Sequence, residues 1–112
     1  GPKPTNEERC ALVLRHFRWH LHFSADARVH KEELPPEQRA KKDELMAVHA
    51  FRSHLAWYAH GLYGASAFRA KVNAADTKQQ VEDAVEQFFL GASVDAAAFE
   101  AEQELDYRTA LG

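Results

Sequence analysis

His16 and His20 stand four residues apart, the spacing at which two imidazoles on one helix can meet a single zinc ion. No Glu or Cys follows at a recognisable ligand spacing, and His22 is turned about 200° from His20 on a helix. The set stays at two, and no metal site is assigned. Nucleophilic chemistry has less to stand on. No serine lies in a Gly-x-Ser-x-Gly elbow, and the single cysteine, Cys10, falls at a helical apolar position with no histidine placed to activate it, so it reads as a buried structural thiol. One cysteine excludes an internal disulfide and is consistent with a reducing compartment. Gly61-x-x-Gly64 is too short for a dinucleotide-binding loop. No catalytic residue, cofactor site or metal site is assigned within the chain, which by itself reads as something other than an enzyme.

The remaining chemistry is cationic. Between Glu44 and Asp76 there is no carboxylate, while Arg52, Arg69 and Lys71 stand there with His49, His54 and His60. At about 100° per residue, Val48, Phe51, Leu55 and Tyr58 share one helical face, and His49, Ser53, Ala56 and His60 share the opposite one. One side packs and the other faces outward. Gly61 sits where a helix C-terminus favours a residue able to take positive φ, and Gly64 permits a second sharp change before Ala65–Asn73 resumes a helical pattern. Arg69 and Lys71 follow that turn, where small residues let a polyanion backbone approach and helix N-termini offer N–H groups to phosphates. Upstream, Arg15, Arg18 and His22 form another row, spaced to track phosphates or simply to be solvated. The candidate nucleic-acid contacts are Arg52, His54, His60, Arg69, Lys71, Arg15 and Arg18. Tyr58 is expected to be buried with its hydroxyl on a partner. Trp57 either packs against the first or fourth helix or stacks on an exposed base.

Charge is uneven. Residues 1–73 hold twelve Lys and Arg against eight Asp and Glu, a balance of +4, with all seven histidines; residues 74–112 stand at −7. A basic working surface joined to an acidic tail has this signature.

The stretch FRSHLAWYAHGLYGASAFRAKVN, residues 51–73, resembles the helical domain at the C-terminal end of bacterial tRNA-dihydrouridine synthases, where a His-x-x-Trp-Tyr segment precedes a Gly-x-x-Gly turn and a helix bearing Arg and Asn. The matching positions are Arg52, His54, Trp57, Tyr58, Gly61, Gly64, Arg69 and Asn73, and the likeness loosens toward Gly91. Ser53 and His60 stand where the family commonly has lysine, and Tyr63 where it commonly has proline, which leaves the turn less stiffened. The resemblance implies a tRNA-binding domain. It also implies a parent enzyme that holds flavin mononucleotide (FMN) in an N-terminal β/α barrel and uses NADPH to reduce the C5–C6 bond of a uridine. The expected partners are tRNA and that barrel, with neither DNA nor membrane. The alternative is a helical module that binds protein instead of RNA.

These residues need helices to position them, and the pattern predicts an all-α bundle of four to five. At 112 residues with 46% hydrophobic content the chain reads as one domain with a modest core. Gly1-Pro2 resembles a pair left by tag removal, so residues 1–4 read as scar and linker and the natural protein as longer. Thr5-Asn6-Glu7-Glu8 has capping-box form and opens a helix to about Phe23, with Cys10, Val13, Leu14, Phe17 and Leu21 as its buried stripe. Ser24–Leu34 reads as a loop, and Pro35-Pro36 marks a second helix start running to about His60. Asp76-Thr77-Lys78-Gln79 reads as a second capping box, opening a helix that ends at Gly91. Its buried stripe is Val81, Ala84, Val85 and Phe88, flanked by Phe89. The domain is expected over 5–91. Residues 92–112 form an acidic, alanine-rich tail that either adds a fifth helix or stays partly mobile. No stretch approaches the roughly 20 apolar residues of a membrane span, nor does the N-terminus carry a secretion signal; a cytoplasmic location is expected.

Overall fold

The computed structural model describes residues 2–27 and 33–111. It is all-α, as the periodicity predicts: α1 (Asn6–Ala27), α2 (Pro36–Ala59), α3 (Ala65–Ala74) and α4 (Lys78–Leu111). α1 packs on α2 and α4, and α3 bridges the same two helices from the other end of the chain. The core takes Cys10, Val13, Leu14 and Phe17 from α1, Val48, Phe51, Leu55 and Ala59 from α2, Phe68 and Val72 from α3, and Val81, Ala84, Val85 and Phe89 from α4. Each large side chain removed from water contributes roughly 1.5–3 kcal/mol; Phe17 of α1 meets Phe51 of α2 at 5.3 Å between ring centroids, and Phe89 of α4 meets Phe68 of α3 at 6.3 Å. Among the described residues, no helix is long and apolar enough to cross a membrane.

The first cap forms as expected: Glu8 N–H donates to Thr5 Oγ1 at 3.1 Å and Thr5 N–H to Glu8 Oε1 at 3.2 Å. α1 nonetheless runs four residues beyond Phe23. Ser24, expected to open a loop, instead donates its hydroxyl to the His20 carbonyl at 2.6 Å, satisfying itself inside the helix. The rest of that expected loop, residues 28–32, lies outside the described residues. α2 is continuous from its N-terminal proline to Ala59.

The cap of α4 is shifted by one residue from its expected place. Gln80 N–H donates to Thr77 Oγ1 at 3.2 Å, and the Gln80 carbonyl oxygen Oε1 accepts from Thr77 N–H at 3.1 Å and Asp76 N–H at 2.7 Å. Both registers satisfy the capping-box pattern. Asp76 faces His49 of α2 across 2.9 Å, which leaves Thr77 to cap. Nor does α4 end at Gly91. Positive φ among the described residues is confined to Gly61 and Gly64, and a glycine that keeps helical φ costs a helix only about 1 kcal/mol where the following alanines favour continuation. The tail thus prolongs α4 to 34 residues, about 51 Å at 1.5 Å each. The side chains of Phe99, Leu105 and Tyr107, its sizeable apolar groups, lie outside the described residues. Phe89, not Phe88, is the buried member of its pair; Phe88 stacks on Phe68 of α3 at 4.5 Å between ring centroids. By helical angle Phe88 lies within the stripe and Phe89 at its margin, so packing between helices, not periodicity, turns Phe89 inward.

Candidate nucleic-acid interface

α2 and α3 form a helical hairpin around residues 60–64. Leu62 N–H donates to the Ala59 carbonyl at 3.0 Å, and Ala65 N–H to that of Leu62 at 3.2 Å. Gly61 and Gly64 take φ of 78° and 80°, a region costing roughly 1–2 kcal/mol for other L-residues. Gly64 is the N-cap of α3, and no side chain caps that end. The glycine turn therefore does what the sequence asks, and presents an α3 N-terminus with exposed Ser66 and Ala67 in its first turn.

The seven candidate contacts do not stay together. Arg52 turns to the far end of α3, where Nε donates to the Val72 carbonyl at 3.1 Å and Nη2 to that of Ala75 at 2.9 Å. Nη2 also lies 3.8 Å from Asp76 Oδ1. A guanidinium fork suits two carbonyls at a helix C-terminus, the negative end of its dipole, so Arg52 clamps α2 to α3. Lys71 and Arg69, two residues apart, diverge by about 200°: Lys71 Nζ bonds Gln87 Oε1 of α4, and Arg69 Nη2 donates to Ser66 Oγ at 3.2 Å beside the uncapped turn. Arg18 pairs with Glu82 of α4 at 2.9 Å, so the row read along α1 is interrupted there. Arg15 is exposed, as is His60 at the end of α2. His54 is exposed beside the α1–α2 seam, 5.2 Å from the His16 ring and 5.1 Å from Phe51.

The histidine pair that invited a zinc reading is engaged otherwise. His16 Nδ1 shares a hydrogen bond with the Tyr58 hydroxyl at 2.7 Å, and His20 Nε2 with the Ala47 carbonyl at 3.0 Å. Among the described residues, no three His, Cys, Asp or Glu side chains are grouped to hold a metal ion. Burial lowers the His16 pKa, helped by the neighbouring His54 and His20. Burial also pushes the Cys10 thiol upward, with Glu86 adding to the shift, which fits an inert core position. Tyr58 has the hydroxyl partner expected of it, but it is only half-buried, because one side of its ring faces the groove described next.

Trp57 does not pack on α1 or α4. It is 75% exposed, touching Tyr58 edge to face at 5.6 Å. It stands at an open groove between the N-terminal turns of α1 and the end of α2, about 510 Å³ in volume, with Arg9, Leu12, Tyr58, His60 and Leu62 among its walls and, among the described residues, no carboxylate in its lining. Arg9 and Leu12 carry no sequence signal for this role. They lie more than forty residues from Trp57, and only the α1–α2 packing brings them to it.

No family model, curated protein or solved structure matches the chain.

Proposed function

We propose that this is an RNA-binding helical domain, and that it holds tRNA as the C-terminal part of a flavin-dependent tRNA-dihydrouridine synthase. The observation that carries the reading is the carboxylate-free hairpin of residues 45–75, whose turn end is open: Trp57 and His60 are exposed, α3 lacks a side-chain cap, and Arg69 lies in the following turn. The likeness of residues 51–73 to the synthases' helical domain supports the choice of tRNA. Phosphate contacts from such a surface would position a folded RNA without reading its sequence. In the longer protein, the domain would clamp tRNA so that a uridine taken out of its stack reaches FMN in the barrel, with NADPH as reductant. No residue of this chain is assigned to either cofactor.

The test is a gel-shift titration with tRNA across salt concentrations. Arg69→Ala and Arg15→Ala should each weaken binding and flatten the slope of log affinity against log salt by about 1. Arg52→Ala is a poor probe, since it also removes a structural clamp. Unchanged affinity and slope in both folded variants would refute the reading.

One observation favours a second reading, a module that binds protein. Leu12, Trp19, Phe23 and Met46 are exposed together with Trp57, and Trp19 and Phe23 touch at 4.8 Å. Exposed apolar groups in proximity mark interaction surfaces. A stable protein partner with no RNA retained would select it.

A further inference from the structure

We infer that the groove between α1 and the end of α2 receives one unstacked nucleotide of the bound RNA strand, its base on Trp57 and its phosphate between Arg9 and His60. The inference rests on the RNA reading and adds to it a particular site. An indole three quarters exposed forgoes the burial that its large apolar surface would otherwise supply. The residues around it are held in place: the perpendicular contact with Tyr58 sets the ring at the mouth of the groove, and the Tyr58 hydroxyl is in turn fixed by His16 Nδ1. The walls are mixed in character. Leu12 and Leu62 are apolar, as the faces of a base and ribose require, whereas Arg9 and His60 supply N–H donors.

Charge chooses among flat ligands. Among the described residues no carboxylate lines the groove, and the acid nearest its mouth in sequence, Glu8, is held back by the Thr5 N–H. A phosphate would meet donors without a like charge. A purely apolar peptide would leave Arg9 and His60 desolvated without partners. Stacking of a base on an aromatic side chain is tolerant of sequence, which agrees with a domain that grips RNA by shape.

The experiment uses the whole 112-residue chain in a Trp19→Phe background, so that Trp57 is the sole indole, and a uridine tetranucleotide as probe. Saturable quenching of Trp57 emission is expected, with at least tenfold weaker binding of uridine monophosphate. In gel shifts with tRNA, Trp57→Ala should weaken binding about fivefold or more, and Arg9→Ala should weaken it and flatten its salt dependence, both with unchanged circular dichroism. If tRNA binds while Trp57 emission stays constant and Trp57→Ala keeps full affinity, the groove assignment falls and the RNA reading stands. If neither RNA binds at all, both fall. Monophosphate binding as tight as the tetranucleotide would overturn the strand and point to a free nucleotide.

Discussion

The two ends of α3 differ more than any two halves of the chain. At its C-terminal end every conspicuous charge has found a partner: Arg52 on two carbonyls, His49 on Asp76, and the Thr77–Gln80 box closing the next helix. At its N-terminal end Gly64 offers no side chain to cap, and Trp57 and His60 stand exposed nearby. The helix dipole explains the contrast. Carbonyls at a C-terminus draw cations in from the same fold, whereas N–H groups at an N-terminus want anions, and this hairpin contains none. A cation-rich segment therefore becomes structural at one end and stays available at the other.

The largest test of that contrast is Arg52→Ala. It leaves the Val72 and Ala75 carbonyls without their charged donor and should cost about 2–3 kcal/mol in urea unfolding. Arg52→Lys should recover less than half, since an ammonium lacks the fork that spans two acceptors. Undiminished stability with weakened RNA binding would invert the assignment of the two ends. At the open end, Gly64→Ala should cost roughly 1–2 kcal/mol through its positive φ. A methyl there would meet Phe88 Cε1 at 3.7 Å, an ordinary contact, so backbone strain is the whole cause. A melting temperature equal to that of the unsubstituted chain would show that the turn is not held in this form.

The smallest effect concerns the seam beside the open end and depends on pH. Folded His16 binds a proton less readily than an imidazole at its ordinary value of 6.5, because of burial first and then His54 and His20. The unfolded chain takes that proton more easily, so stability present above pH 6.5 is lost as pH falls through the lowered folded value. The groups facing His16 from α2 are Tyr58 and His54. His16→Asn keeps a polar atom near the Nδ1 position but does not titrate, and should flatten the dependence of urea midpoint on pH as pH falls below the ordinary imidazole value of 6.5.

Much of the fold was legible because its causes are local. The box at Thr5, the proline start of α2 and the glycine turn each act within four residues, and the apolar stripes repeat at the helical period. The α4 register was not legible for a physical reason: Asp76 and Thr77 both satisfy the capping pattern, and the choice between them belongs to His49, 27 residues away. The site was less legible still. Arg18, Arg52 and Lys71 looked alike in the sequence as cations on helices, yet Glu82, two carbonyls and Gln87 reach them from other helices.

By itself the sequence determined that the chain is helical, where most helices begin, most of the residues that form the core, and that the hairpin must turn at Gly61 and Gly64. Periodicity and backbone preference depend only on near neighbours. The tertiary structure alone decided which cations remain outward, that Trp57 stays in water, and that Arg9 and Trp57 line one groove. Those outcomes depend on what another helix places opposite each side chain, and no spacing along one helix records that.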